Sequence, residues 1–281
     1  MARTKAISLL QAAATKADLA EIYGIVIDNV MKDTPSSGLK SQAYPGNPAA
    51  GSVEFKRFVN ATVKDYGTAR AAAEGDAVKA PPVTVNLDKH KEIVEEVAKF
   101  DLDTFGVGGV MARRAANHID AMTVDLDVAF FAEAATEGTA VTPTATEAAA
   151  KLEEIIVALE TTKNDYVQGV PRNMIVAVVS PLFYSQIRTA LDSLPASNVD
   201  TAAEEFAMYH GVRVYSSINL PADVDAIVMA QGSVAQPVLA DQYGEPEKIP
   251  LSNDFGVGLF YDYGVKALTP DLIYKLERVE G

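Results

Sequence analysis

The feature of this sequence that most constrains its fold is a long stretch of helical periodicity over residues 109–137. Its apolar residues recur at spacings that place them on one face of an α-helix: Ala115, Ile119, Met122, Leu126 and Phe130. Gly138 follows the stretch and Pro143 lies beyond it, so the helix should end there. At about 1.5 Å per residue the predicted helix is roughly 40 Å long. Few globular folds contain such a helix, because it is far longer than average.

The charged stretch VTVNLDKHKEIVEEVAKFD, residues 83–101, changes its periodicity half-way. It begins with the alternation of a strand and continues at helical spacing through Ile93, Val94, Val97 and Phe100. With the preceding SVEFKRFVNATVKDY it predicts one long hairpin over residues 51–101, with strands of about ten residues and a polar, mobile tip. An isolated two-stranded hairpin is marginally stable in water. Its apolar row therefore needs a further surface to pack against.

Residues 1–50 are predicted to form an N-terminal arm. The apolar residues of its first part follow one stripe of an amphipathic helix: Leu19, Ile22, Tyr23, Val26, Ile27 and Val30. Residues 33–51 are rich in Pro, Gly and Ser and show no periodicity, which indicates an extended linker. A short helix on such a tether has little to pack against nearby, so we expect it to pack elsewhere.

From about residue 144 the pattern alternates between helix and strand. The apolar run NMIVAVVS predicts a buried strand, and Ser180 and Pro181 after it are the residue types expected at the N-cap and first position of a helix. The context VVSPL differs from the G-x-S-x-G of a nucleophilic serine. Near the end of the chain, apolar residues alternate with polar ones over residues 257–265, which predicts a return to β-structure.

Composition excludes several classes of protein. The chain has 281 residues and a formal net charge of −14, with acidic residues spread over all but the N-terminal arm. A protein that grips nucleic acid usually shows the reverse. The absence of Cys excludes disulfides, thiolate metal sites and Cys nucleophiles. No apolar run reaches the roughly 18 residues of a membrane span, and no signal-peptide pattern opens the sequence, so we expect production in a cytosol.

No combination of residues predicts an active site. None of the three histidines (His90, His118 and His210) has a second ligand at metal-binding spacing. The sequence GVGGV lacks the third glycine of a dinucleotide-binding loop. Asp125 and Asp127 are two residues apart, and such positions do not face each other on a helix. We therefore predict no enzyme, no cofactor and no metal.

The order of these parts resembles the major capsid proteins of tailed bacteriophages, which have the HK97 fold. Residues 83–101 look like the second strand of that family's extended loop. GGVMARRAANHIDAMTVDLDVAFFAEA looks like the spine helix of its peripheral domain, and RNMIVAVVSPLFYSQI like the central strand and next helix of its axial domain. GVRVYSSINLP and DFGVGLFYDYGVKALTPDLIYKL are similar to the late axial strand and the closing peripheral strands. The resemblance runs from about Ser52 to Val279, and the order of these loose motifs makes it specific.

The resemblance implies an α+β fold of the HK97 type. It divides the chain into an N-terminal arm (1–50), an extended β-hairpin loop (51–101), a peripheral domain with the spine helix (102–143 and 246–281) and an α/β axial domain (144–245).

The resemblance also implies a structural function. Copies of the chain would form the hexamers and pentamers of an icosahedral shell that encloses double-stranded DNA without binding it sequence-specifically. Scaffolding and portal proteins, and a decoration protein, would be further partners, and no membrane is involved. The protein would reside in the virion, after assembly in the host cytoplasm.

We expect the subunit interface to include eight apolar residues of the arm and the hairpin: Leu19, Ile22, Val26, Val83, Val85, Leu87, Ile93 and Val97. Two alternatives remain open on the sequence. An encapsulin-type bacterial compartment shell has the same fold and encloses cargo enzymes. A soluble α/β enzyme would instead have a pocket with titratable groups of perturbed pKa.

Overall fold

The computed structural model describes residues 34–41, 51–68, 76–99, 107–192, 208–240 and 247–278. The chain divides into two compact units. The first unit contains Lys89–Val124 and Leu239–Asp262, and the second contains Asp33–Asp88, Asp125–Val238 and Tyr263–Gly281. The boundaries of these two units differ from those of the four-part division expected from the sequence. That division stays a prediction.

In chain order the described elements are α1 (Ser36–Leu39), β1 (Ser52–Lys56), β2 (Pro82–Asn86), β3 (Lys89–Val97), α2 (Val107–Glu137), β4 (Thr139–Ala140), α3 (Ala148–Glu160), β5 (Ile175–Val179), α4 (Pro181–Asp192), β6 (Met208–Tyr209), β7 (Val212–Ser216), β8 (Val224–Ala230), β9 (Val234–Ala235), β10 (Val238–Ala240), β11 (Glu247–Lys248), β12 (Phe255–Tyr263), β13 (Lys266–Ala267) and β14 (Ile273–Glu277). Single 3₁₀ turns at Arg172–Met174 and Pro270–Leu272 precede β5 and β14.

The long helix predicted from the sequence is confirmed as α2, which has 31 residues and ends directly before Gly138. The amide N–H of Gly138 donates a hydrogen bond to the carbonyl of Ala134 at 3.0 Å, which closes the last turn of the helix. Of the predicted apolar stripe, Leu126 and Phe130 are buried, whereas Ile119 is 45% exposed. Among the stripe residues whose burial the structure describes, the two that are buried lie in the C-terminal part of the helix.

A six-stranded mixed sheet forms the centre of the second unit, with strand order β4-β14-β8-β5-β7-β6. Strand β5 pairs parallel with β7 and antiparallel with β8, and all five of its residues are buried. Alternate residues of β5 face two different cores: Ala177 packs with α3 and α4, and Val178 packs with α2. Because helices cover both faces, the central strand is apolar throughout, as its sequence indicates.

Helix α4 begins where the sequence predicts. The Ser180 side chain accepts a hydrogen bond from the Phe183 amide at 3.3 Å, and Pro181 is the first helical residue. This is the N-cap geometry that satisfies an otherwise unpaired helical amide. The bond accounts for Ser180 without any nucleophilic role.

The first unit contains a smaller sheet built on β12, which pairs with β3, β10 and β11. The predicted alternation along β12 is confirmed: Val257, Leu259 and Tyr261 are buried, and Phe260 is 47% exposed. The N-terminal part of α2 belongs to the same unit.

The stretch expected to be one return arm of a hairpin is two strands in two different sheets. Strand β2 pairs with β1, whereas β3 pairs with β12. The hairpin therefore has five-residue strands where strands of about ten were expected, and the change of periodicity marks the break between β2 and β3. Residues 93–97, whose apolar side chains recur at helical spacing, all lie in β3, so the strand structure expected for the return arm extends through them.

Candidate subunit interface

The root of the hairpin, formed by β1 and β2, packs within its own subunit. Val53 is paired with Val85, and Phe55 with Val83. Val53, Phe55 and Val85 form a small core with Ala235, and Val85 is only 1% exposed. The expectation that this row lacks a packing partner inside its own subunit is therefore not met at Val85.

Arg57 anchors the hairpin just beyond its root. Its guanidinium donates two hydrogen bonds to the Asp271 carboxylate, at 2.5 and 2.8 Å, and lies 4.2 Å from the centre of the Tyr166 ring. Asn164 donates a third bond to Asp271 at 2.6 Å. A bidentate pair of this kind fixes orientation as well as distance. In addition, the amide of Asn60 donates to the Asp165 carbonyl at 2.9 Å.

Burial by itself would raise the pKa of the Asp271 carboxyl. The hydrogen bonds from Arg57 and Asn164 and the charge of Arg57 outweigh burial, so the pKa lies below its ordinary value. A carboxyl whose pKa is lower in the folded state stabilises the fold above its unfolded pKa of about 3.9. That contribution is lost as the pH falls through the folded pKa.

We expect Asp271→Asn to lower the free energy of unfolding by about 2 kcal/mol at pH 7, because a charge-assisted bidentate bond is lost. The difference from the unsubstituted chain should shrink as the pH falls below about 4, where Asp271 of the unfolded chain binds a proton, and should vanish below the lower pKa of the folded state. Denaturant unfolding between pH 7 and pH 3 measures both effects. Asp76→Asn is the matched control, since Asp76 pairs with Lys64 on the surface at 2.6 Å and should have little effect. An equal loss of unfolding free energy in Asp271→Asn and Asp76→Asn would contradict the role of Asp271 in anchoring the hairpin.

Beyond the anchor, the described residues 58–68 and 76–80 form the hairpin tip. Hydrogen bonding between its two sides is sparse: the Val59 amide donates to the Lys79 carbonyl at 3.0 Å, and Lys64 pairs with Asp76. Four large apolar side chains of the tip are exposed, at fractions from 63% to 97%: Phe58, Val63, Tyr66 and Val78. Clustered apolar exposure in one segment indicates a surface that another protein covers.

Strand β3 presents a buried and an exposed face. On the inner face Val97 is 7% exposed and packs against Val257. Glu95, on the same face, accepts hydrogen bonds from Arg114, and its carboxylate lies 3.0 Å from the ring of His118. On the outer face Val94 is 56% exposed.

The pKa of Glu95 is also lowered. Burial would raise it, but the hydrogen bonds with Arg114 and His118 and the positive charge of Arg114 outweigh burial. These contacts fasten β3 to α2 inside the first unit, which accounts for the buried His118 without a metal.

The eight residues expected at the interface thus have different positions. Leu19, Ile22 and Val26 lie outside the described residues. Val85, Leu87 and Val97 are buried in their own units, and Val83 and Ile93 are half-buried. An interface role for these residues stays a prediction. The exposed tip residues were not singled out by sequence reasoning, although Phe58 and Tyr66 are large apolar side chains in the stretch expected to form the outgoing strand of the hairpin.

The remaining polar candidates serve the fold. His90 lies 2.7 Å from Asp262 on the surface. Asp125 accepts a hydrogen bond from the Tyr263 hydroxyl, and burial together with Asp125 raises the pKa of Tyr263 to about 12. The described residues contain no cluster of three His, Asp or Glu placed to hold a metal ion. None of the described helices is both long and apolar enough to cross a membrane.

An open groove of about 1040 Å³ runs along α3. Two carboxylates that line it, Glu153 and Glu154, already have partners. The pKa of Glu154 is lowered by hydrogen bonds from Thr144. Burial would raise the pKa of Glu153, but bonds from Arg172 and His210 outweigh burial and lower it. Glu153 and Glu154 therefore hold neighbouring segments to α3.

Comparison with known proteins gives a consistent result. A family model described as phage capsid protein matches residues 91–276. No protein with a curated description matches the chain. Among solved structures, the capsid of cyanophage P-SCSP1u has a TM-score of 0.67 at 16% identity and covers 100% of both chains.

Two further structures are similar over most of their length. A chain of Mycobacterium phage Che8 has a TM-score of 0.63 at 20% identity, covering 90% of this chain and 95% of that chain. The capsid of an empty GTA particle has a TM-score of 0.61 at 14% identity, covering 91% and 94%. At these identities the structures show the fold, and the predicted α+β fold of the HK97 type is confirmed. The family model matches more than half of the residues of this chain, and the chain therefore belongs to this family of phage capsid proteins.

Proposed function

We propose that the chain is the repeating subunit of an icosahedral shell, in which hexamers and pentamers enclose double-stranded DNA. The observation that carries the proposal is the family match to phage capsid proteins over residues 91–276. The similarity to capsid chains of comparable length supports it. On this proposal the protein is structural, has no catalytic role, and is found in the virion after assembly in the host cytoplasm.

The hairpin supplies one contact between copies. Its root is anchored inside the subunit by Val85 and Arg57, so the tip can extend over a neighbouring copy. Burial of the exposed tip side chains there would stabilise the contact, because each large apolar side chain that leaves water contributes about 1.5–3 kcal/mol. The N-terminal arm, through Leu19, Ile22 and Val26, makes a second contact. Many such contacts act together in a closed shell.

The charge of the chain suits an enclosing role. A net charge of −14 disfavours tight binding of the DNA backbone, so the shell holds DNA by confinement and not by sequence-specific recognition. Scaffolding, portal and decoration proteins are the further partners that such a shell would use.

Electron microscopy of the chain expressed with and without the scaffolding and portal proteins of its phage tests the proposal. We expect closed shells of uniform size, built of hexamers and pentamers. A strictly monomeric chain under all conditions, including crowded ones, would contradict it. Copurification of packaged DNA with a portal protein, rather than a folded enzyme, distinguishes the capsid from a bacterial compartment shell, which the family match does not favour.

A further inference from the structure

Asp127 is a buried carboxylate in the middle of α2. Its side chain is 0% exposed. It accepts hydrogen bonds from the Ser36 amide at 3.0 Å, from the Asn219 side chain at 2.8 Å and from the Ser217 hydroxyl at 3.5 Å. A carboxylate in the interior is costly unless donors satisfy it, so these three bonds are needed to keep Asp127 in place. One of them comes from a segment 91 residues away in the sequence.

That segment, residues 34–41, is called the strap. Within the strap, Leu39 is 2% exposed and belongs to the core that contains Phe130 of α2. Two backbone hydrogen bonds also join the C-terminal end of the strap to residues 232–234. The Gly232 amide donates to the Leu39 carbonyl at 3.0 Å, and the Ser41 amide donates to the Val234 carbonyl at 2.8 Å. Within the second unit, these eight residues are therefore held by one apolar side chain, several backbone bonds and Asp127.

The strap lies within the N-terminal arm expected at residues 1–50, in the stretch expected to be an extended linker, and its buried Leu39 corrects that expectation. Residues 1–33 of the arm continue directly from the strap. Asp127 meets the strap at Ser36, the first residue of α1, and so at the end nearest the arm. The bonds of Leu39 and Ser41 hold the other end. Loss of Asp127 would thus loosen the strap from the side of the arm.

We propose that Asp127 is the positioning residue that sets where the N-terminal arm leaves its subunit. The proposal rests on the proposed function in one respect, namely that the arm contacts a neighbouring copy. Asp127 does not itself touch the neighbour; it acts by holding Ser36, and through Ser36 the first turn of α1.

Asp125 offers a matched control. It lies on the same helix, two residues away, and accepts its hydrogen bond from Tyr263, which is not part of the strap. Asp125→Asn and Asp127→Asn make the same chemical change on the same element. Only the second removes acceptor capacity from the strap, since the amide nitrogen of Asn cannot accept a bond from Ser36 or Asn219.

Hydrogen–deuterium exchange of the full-length subunit, read by mass spectrometry, tests the contact. In Asp127→Asn we expect the amides of residues 34–41 to exchange at least about tenfold faster, because a hydrogen bond to a charged group is lost. The amides of β5 should keep their rate, and Asp125→Asn should leave the strap unchanged. An unchanged strap in Asp127→Asn would overturn the proposal.

If Asp127→Asn also accelerates exchange in β5, the whole unit is destabilised, and a milder variant is needed to test whether Asp127 holds the strap. Asn219→Ala removes one of the three donors and leaves the carboxylate. The strap amides should then exchange faster than in the unsubstituted chain, with β5 unaffected. Strap amides that keep their original rate in this variant would count against the proposal.

A double-mutant cycle separates the proposal from the function on which it rests. The first variant replaces Leu19, Ile22 and Val26 with Ser, the second is Asp127→Asn, and the third combines the two changes. Particle yield of each is measured by electron microscopy. If Asp127 acts through the arm, the combined variant loses no more particles than the arm variant alone. Additive losses, or a loosened strap with normal particles, would overturn the proposal while leaving the capsid function standing. Normal particles from the arm variant alone would instead remove the arm from the proposed function.

Discussion

Replacing Gly264 with Ala is expected to destabilise the second unit by about 3 kcal/mol, the upper range for overpacking a tight interior. A Cβ atom on Gly264 would lie 1.9 Å from the carbonyl oxygen of Asn86 and 2.8 Å from its carbonyl carbon. Both are backbone atoms, so no side-chain rotation relieves the clash. Gly264 is itself held, since its amide donates to the Pro237 carbonyl at 3.2 Å. Strand β2 must therefore move, and Val85 with it.

Denaturant unfolding of the purified subunit, followed by circular dichroism, measures the effect. Gly38→Ala is the control, because a Cβ there meets no atom within 4 Å and the residue lies in α1. Such a change should be neutral or slightly stabilising, by about 0.5 kcal/mol. Equal midpoints for Gly264→Ala and the unsubstituted chain would show that β2 and Gly264 do not approach as closely as the structure indicates.

Elements whose signals are local could be predicted from the sequence. Helix α2 has a long apolar period and ends at Gly138, and α4 begins with Ser180 and Pro181. Strand β5 is apolar throughout because helices cover both faces of its sheet. In each case the residues that define the element lie within it or directly beside it, so no distant contact is needed to recognise it.

The periodicity of β3 was ambiguous for a physical reason. Ile93 and Val97 are four residues apart, and this spacing fits one face of a helix and also one face of a strand. Val94 adds to the helical spacing, although in the structure it lies on the outer face of the strand and is 56% exposed. The pairing with β12, more than 150 residues later in the chain, selects the strand, and no local pattern reveals that partner.

The anchor of the hairpin lay beyond sequence reasoning for the same reason. Arg57 and Asp271 are 214 residues apart, and nothing near either residue marks it as half of a pair. Their bond nevertheless separates a buried root from an exposed tip. The sequence indicated correctly that a charged hairpin carries an apolar row, but it could not tell that Val85 belongs to the subunit's own core.

Replacing the four exposed tip residues Phe58, Val63, Tyr66 and Val78 with Ser is expected to abolish particle assembly while leaving the subunit folded. These side chains contribute little to the subunit's own core, so its free energy of unfolding should change by about 0.5 kcal/mol or less. If each subunit loses apolar burial worth even about 1.4 kcal/mol at every neighbour, each contact weakens about tenfold. A closed shell repeats that loss at every copy. Particle yield by electron microscopy and subunit unfolding by denaturant give the two readouts.

Thr62→Ser with Thr68→Ser is the matched control, because it changes two exposed residues of the same tip and removes only methyl groups. It should assemble normally. If the four-residue variant assembles as well as this control, the tip does not reach a neighbour, and its apolar exposure needs another explanation. If the variant instead unfolds at lower denaturant, the tip packs on its own subunit, as Val85 does. Only loss of particles from a subunit of unchanged stability identifies the tip as surface that a neighbouring copy covers.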